Sequence, residues 1–107
     1  MKTNLTYHAQ IERDARIDYI VENVGVGEPW VGRIDTTHGR RHYECLTTTG
    51  VLMVCSEDKK TLVTMYVPST RQAVAFFKSA TNCLCMPQSK FNMFKHNEKI
   101  HHAVLEM

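Results

Sequence analysis

Two hydroxyl side chains, Thr64 and Tyr66, lie two residues apart in the segment T-L-V-T-M-Y, residues 61–66. Side chains alternate between the two faces of an extended strand, so Thr64, Tyr66 and Leu62 are predicted to share one face. Val63, Met65 and Val67 then form the opposite, buried face. Hydroxyl groups can orient a phosphate or donate a hydrogen bond where charge develops. The alternative, that both residues serve only as good strand formers, stays open.

Cationic side chains are concentrated in the segment R-I-D-T-T-H-G-R-R-H, residues 33–42. The guanidinium group matches the geometry of phosphate oxygens, so Arg33, Arg40 and Arg41 are candidate phosphate ligands. His42 is a further candidate, for proton transfer or for contact with the same ligand. The alternative for each of them is a turn or strand edge exposed to water.

His8, near the start of the first predicted helix, is the main candidate for proton transfer. Imidazole titrates near neutral pH and therefore suits a general acid or base. A histidine at the start of a helix can also be a capping or surface residue, and that interpretation stays open.

The elements that position these residues follow from apolar periodicity and turn signals. Residues 6–24 are predicted to be helical, because Ile17, Ile20, Val21 and Val24 form one apolar stripe. Residues 30–34 are a candidate short strand. Residues 41–48, 51–55 and 62–67 are predicted strands, of which 51–55 is the central one, covered on both faces. The short connections between them predict an antiparallel meander.

Two helices are predicted to follow the strands. Ser69 begins the first, with Gln72 completing a capping box, and the second runs from about Lys90 to Leu105. The whole chain, residues 1–107, is therefore predicted to be a single α+β domain, with an N-terminal helix packed on a three- to four-stranded antiparallel meander and C-terminal helices after it.

The composition narrows the class of protein. The chain has 107 residues, 43% of them hydrophobic, and a net charge of +2, which is too mild to indicate nucleic-acid binding by itself. No apolar run is long enough to span a membrane, and the N-terminal residues do not resemble a secretory signal, so a cytoplasmic protein is expected. The four cysteines are predicted to be thiols. Cys83 and Cys85 with His101 or His102 match no common zinc-finger spacing, so no metal site is predicted.

Three motifs carry a resemblance to a known family. They are H-A-x-I-x-R at 8–13, G-R-R-H-Y-E-C-L at 39–46 and G-V-L-M-V-C-S-E-D-K-K-T-L-V-T-M-Y at 50–66. In this order they resemble the small RelE-like and colicin-nuclease-like toxin domains of the barnase, EndoU, colicin and RelE assemblage. The subgroup in question opens its helix with His-Ala and ends its last strand with Thr-x-Tyr. The resemblance covers about residues 5–80, and a C-terminal helical extension of about 83–107 lies outside it. In the family pattern an Arg follows the His by four residues, whereas here Glu12 holds that position.

The resemblance implies a metal-independent ribonuclease of the toxin type, which needs no cofactor and cleaves RNA through attack of the 2′-hydroxyl group. His8 would transfer the proton, Arg41 would bind the phosphate, and Thr64 and Tyr66 would position it. Arg33, Arg40 and His42 would bind RNA. Proteins of this type imply an antitoxin, immunity or host protein partner. The alternative is a catalytically inactive phage or mobile-element protein on the same scaffold, which regulates a host protein complex or acts as a homodimeric accessory protein.

Overall fold

The described part of the chain folds into helices on both faces of one antiparallel sheet. The computed structural model describes the backbone of residues 7–107 and the side chains of residues 15–37 and 39–107. The helices are α1 (Tyr7–Asn23), α2 (Thr70–Thr81) and α3 (Gln88–Leu105), and the strands are β1 (Pro29–Asp35), β2 (His42–Thr47), β3 (Leu52–Ser56) and β4 (Leu62–Tyr66). The sheet order is β1-β2-β3-β4, with every neighbouring pair antiparallel. The predicted α+β class and element order are confirmed.

The predicted elements differ from the observed ones mainly at their ends. The strand predicted at 30–34 exists as β1, so the sheet has four strands and β2 shares the interior with β3. The last helix begins at Gln88 rather than at Lys90. Residue 6, the predicted first residue of α1, lies outside the described part. No helix in the described part is long and apolar enough to cross a membrane.

The two faces of the sheet carry separate hydrophobic clusters. On the face that packs against α2, called here the α2 face, Leu46 and Leu52 are buried with Ala73, Phe76 and Phe94. On the opposite face, called here the α1 face, a second cluster consists of Ile20, Val51, Met65, Val67 and Val104. Helix α3 contributes Phe94 to one cluster and Val104 to the other. It therefore ties the two layers of helices together.

The start of α2 confirms the predicted capping box. The backbone N–H of Gln72 donates to the Ser69 hydroxyl over 3.2 Å, and the backbone N–H of Ser69 donates to Oε1 of Gln72 over 3.0 Å. At its other end, α2 finishes on Asn82 in the left-handed conformation. Both termini of α2 are thus defined by local hydrogen bonds as well as by the packing of Phe76 and Phe77.

The turn between β2 and β3 requires glycine for two reasons. Gly50 has a φ of +94°, and a Cβ atom at this position would lie 2.5 Å from Nδ2 of Asn97. Asn97 is buried in α3 and donates to the carbonyl oxygen of Thr49 over 2.9 Å. The hairpin and α3 therefore meet with no room for a side chain at position 50.

Replacing Gly50 with alanine is expected to destabilise the protein more than replacing Gly25. Gly25 also has a positive φ, +80°, but a Cβ atom there has no neighbour within 4 Å. Gly25→Ala should cost about 1 kcal/mol through backbone strain alone. Gly50→Ala should cost about 1 to 2 kcal/mol more, because Asn97 must move. Urea unfolding of the two variants measures the difference, and equal losses would show that the contact with Asn97 carries no energy.

Candidate functional site

A row of polar side chains crosses the α2 face of the sheet. The strand register pairs Arg33 with Glu44, Glu44 with Val54, and Val54 with Thr64. Tyr66 follows two residues along β4 and pairs with Leu52. Paired residues lie on the same face, so Arg33, Glu44, Thr64 and Tyr66 share the surface beneath α2.

The prediction for the other residues of β4 is partly wrong. Leu62 was predicted to share a face with Thr64 and Tyr66, but it pairs with Cys55 and packs against the Ile20 cluster on the α1 face. The reason is a register shift between Val54 and Cys55, which inserts one extra residue into β4. Met65 and Val67 are buried as predicted, whereas Val63 is only half-buried.

Arg33 is held from three sides. Its Nε atom lies 3.0 Å from Oε1 of Glu44, and its Nη1 atom donates to the Ser79 hydroxyl over 2.7 Å. The guanidinium carbon also lies 4.6 Å from the centre of the Phe76 ring. Arg33 is thus fixed between the sheet and α2. Its positive charge is paired with the carboxylate of Glu44, whose side chain is only 14% exposed.

Tyr66 is a neutral hydrogen-bond donor in this setting. Burial raises the pKa of its hydroxyl group, the negative charges of Glu44 and Asp35 raise it further, and Arg33 opposes them. The side chain nevertheless remains 37% exposed. The phenol group therefore keeps its proton at neutral pH and is accessible to a ligand.

Tyr66 and Gln72 lie between two depressions on the surface. The first has a volume of about 260 Å³ and is also lined by Arg33 and Phe76. The second has a volume of about 250 Å³ and is also lined by Arg16, His101 and an apolar wall of Val67, Val104, Leu105 and Met107. These depressions are called here the Arg33 depression and the His101 depression, and together they form the Tyr66 groove. Each has an arginine, and the second also has an imidazole group.

His101 has a defined tautomer. Its Nδ1 atom lies 2.8 Å from the carbonyl oxygen of Val67. A carbonyl oxygen only accepts hydrogen bonds, so Nδ1 carries the hydrogen and the lone pair of the neutral ring is on Nε2. His101 thus has the electronic arrangement of a general base, with its orienting partner in place.

Arg40, Arg41 and His42 lie at the other end of the sheet. They line a shallow, open pocket with Ser56 and Thr61, which Tyr66 does not line. Nε of Arg41 lies 2.7 Å from Oε2 of Glu57, and both side chains are more than half exposed. His42 is four residues along β2 from Leu46, which is level with Tyr66, a separation of roughly 13 Å at the rise of a strand. The structure therefore brings Arg33 and Tyr66 to one depression, places Thr64 on the same face of the sheet but outside that depression, and leaves Arg40, Arg41 and His42 in a separate pocket.

Two of the sequence-based candidates concern other parts of the chain. The backbone of His8 belongs to α1, but its side chain lies outside the described residues, so its role stays a prediction. Cys83 and Cys85 are free and exposed, and Cys45 and Cys55 are free and buried. Among the described residues no three histidine, cysteine or acidic side chains are grouped as metal ligands. The zinc arrangement of Cys83 and Cys85 with His101 or His102 is therefore not formed.

Three residues of the groove were missed or only partly interpreted by sequence reasoning: Arg16, Gln72 and His101. His101 follows Phe94 by seven residues and precedes Val104 by three, so it lies on the inward stripe of α3, and this spacing was a usable signal. Gln72 was interpreted only as a cap. Arg16 has no distinguishing pattern, because only the tertiary packing of α1 brings it near Tyr66.

The resemblance to RelE-like toxin domains rests on the three motifs between residues 8 and 66. The observed α+β class and element order are shared by many unrelated functions, so they do not test this resemblance. The residues of the Tyr66 groove indicate a function more specifically than this resemblance does. No protein-family model, no curated protein and no solved structure matches this chain.

Proposed function

We propose that the protein binds RNA in the Tyr66 groove and cleaves it without a metal ion, through attack of a ribose 2′-hydroxyl group on the adjacent phosphorus. The observation that carries the proposal is the His101 depression. It combines an imidazole with a free Nε2 lone pair, a guanidinium group from Arg16 and the neutral hydroxyl group of Tyr66. They supply a base, a cation and a hydrogen-bond donor, which are three of the functions that the reaction needs.

Each of the three groups has one role in the reaction. Nε2 of His101 removes the proton of the 2′-hydroxyl group as the new bond between the 2′-oxygen and phosphorus forms. Arg16 neutralises the additional negative charge of the phosphorane, and Tyr66 donates a hydrogen bond to it. The bond between phosphorus and the 5′-oxygen then breaks, and that oxygen takes up a proton, for which His8 is the predicted donor. The products are a 2′,3′-cyclic phosphate and a 5′-hydroxyl end.

The Arg33 depression accommodates the neighbouring nucleotide. Arg33 is fixed by Glu44 and Ser79, and Phe76 and Leu52 supply an apolar wall. A rigid cation beside an apolar surface suits a phosphate with its attached nucleoside. Thr64 lies on the same face of the sheet, two strands from Glu44, and does not line this depression.

A second candidate function is binding without cleavage, in a protein that inhibits or regulates a host protein complex. The pairing of Arg33 with Glu44 and of Arg41 with Glu57 favours it, because each carboxylate reduces the positive potential that would attract RNA. Leu84, at 85% exposed, and Leu105, at 69%, are also available to a protein partner.

Incubating the purified protein with single-stranded RNA in excess EDTA distinguishes the two functions. We expect cleavage to continue in the chelator and the new ends to be 2′,3′-cyclic phosphates, which mass spectrometry identifies. RNA that stays intact under these conditions contradicts the nuclease proposal. The second candidate is then tested by co-purification with a host complex.

His101→Ala is expected to lower the cleavage rate by about 100-fold or more, the scale of losing a proton-transfer group. His96→Ala is the matched control, because His96 is an exposed histidine on the same helix and lines neither depression. It should retain at least about half of the rate, since exposed substitutions away from the site have small effects. Single-turnover cleavage of one oligonucleotide by the two variants gives the comparison. Equal rates would place the proton transfer elsewhere, with His8 as the next residue to test.

Tyr66→Phe is expected to lower the cleavage rate by about tenfold or more while leaving the affinity for RNA within about threefold. The substitution removes only the hydroxyl group and retains the ring that separates the depressions. The rate and the dissociation constant are measured on the same oligonucleotide. A loss of affinity with an unchanged bound-state rate would make Tyr66 a binding residue only.

A further inference from the structure

The side-chain amide of Gln72 has a fixed orientation. Its Oε1 atom accepts the backbone N–H of Ser69 over 3.0 Å, within a capping box whose other hydrogen bond is also formed. The Nε2 atom is bonded to the same carbon and must therefore point away from Ser69. It presents two N–H donors and no acceptor.

The position of Gln72 in the groove indicates which ligand its amide would contact. Gln72 is exposed, and with Tyr66 it lines both the Arg33 depression and the His101 depression. An RNA strand that runs from one depression to the other must pass this pair of side chains. An arginine lies on each side of the crossing, so the part of the strand that crosses is expected to be its phosphate backbone.

We infer that Nε2 of Gln72 donates a hydrogen bond to a non-bridging phosphate oxygen of RNA at the crossing between the two depressions. The inference rests on the proposed RNA-binding function of the groove. It makes Gln72 a binding residue in addition to a helix cap. Phosphate oxygens only accept hydrogen bonds, and the locked amide can only donate here, so the two groups are complementary.

Gln72→Glu separates the two roles of this residue. Glutamate retains an oxygen for the N–H of Ser69, and it is a favoured third residue of a capping box at the positive end of a helix. The melting temperature should therefore be unchanged or higher. The variant loses the N–H donors and adds a negative charge, so the dissociation constant for a single-stranded RNA oligonucleotide should rise by about tenfold or more. An affinity equal to that of the wild type overturns the inference.

Gln88→Glu is the control for the added charge. Gln88 lies at the start of α3, lines neither depression, and is thirteen residues, or roughly 20 Å along the helix axis, from His101. The same change in net charge at this distance should alter the dissociation constant by about twofold or less. A similar loss in both variants would mean that net charge, and not the donor, explains the effect.

Two substitutions that leave the net charge unchanged test the loss of the donor alone. Gln72→Ala loses the donor and one hydrogen bond of the capping box, whereas Ser69→Ala loses the other hydrogen bond and leaves the Gln72 amide in place. Both should lower the melting temperature, but only Gln72→Ala should weaken RNA binding, by about tenfold for a hydrogen bond to a charged acceptor. Equal binding by these two variants overturns the inference.

The choice of oligonucleotide tests whether the acceptor is a phosphate. Gln72→Glu should weaken binding to oligo(U) and to oligo(A) by similar factors, because both have the same backbone. A loss confined to oligo(U) would assign the contact to a base carbonyl group and overturn the phosphate assignment. If the wild-type protein binds neither, the proposed function itself is wrong. If it binds both and the Gln72 variants bind equally well, only this inference is wrong.

Discussion

The irregular pairing of β4 with β3 lets one strand place Leu62 in the hydrophobic core on one face of the sheet and Tyr66 in the groove on the other. Val54 pairs with Thr64 while the next residue, Cys55, pairs with Leu62, so β4 contains one extra residue. Side chains alternate along a strand, and a shift of one residue exchanges the faces. The bulge therefore lets Leu62 join the Ile20 cluster while Tyr66 still faces α2. In a regular strand Leu62 would lie on the same face as Thr64 and Tyr66, beneath α2.

The position of α2 depends on contacts with the edge strand β1. Trp30 stacks on Phe77 with their ring centres 5.2 Å apart, and Arg33 bridges from the sheet to Ser79 and Phe76. These contacts hold the helix above the polar row while its first turn remains beside Tyr66. The groove is thus the space between the N-terminal half of a well-anchored helix and the sheet beneath it. Its shape follows from packing rather than from a flexible loop.

The elements were predictable because their signals are local. Ser69 and Gln72 satisfy a capping box within four residues, and Gly50 marks a turn by its own conformational freedom. The site was less predictable because its members meet only through tertiary structure. Tyr66 and Arg33 were identified from residue type and spacing, but the bulge that reverses Leu62 has no signature in the sequence. Arg16 and His101 come from helices at opposite ends of the chain, and only the packing of α1 and α3 around β4 brings them together.

The hydrogen bond between His101 and Val67 fixes the orientation of the imidazole ring in both of its protonation states. Val67 and Pro68 are almost fully buried, so the accepting carbonyl group is part of a rigid segment. A neutral imidazole with its hydrogen on Nδ1 and a protonated imidazolium both donate from that atom, so the bond persists when Nε2 gains a proton. The ring can then accept a proton and return it without rotating. One side chain in a single pose is thus able to serve both half-reactions of an acid–base cycle.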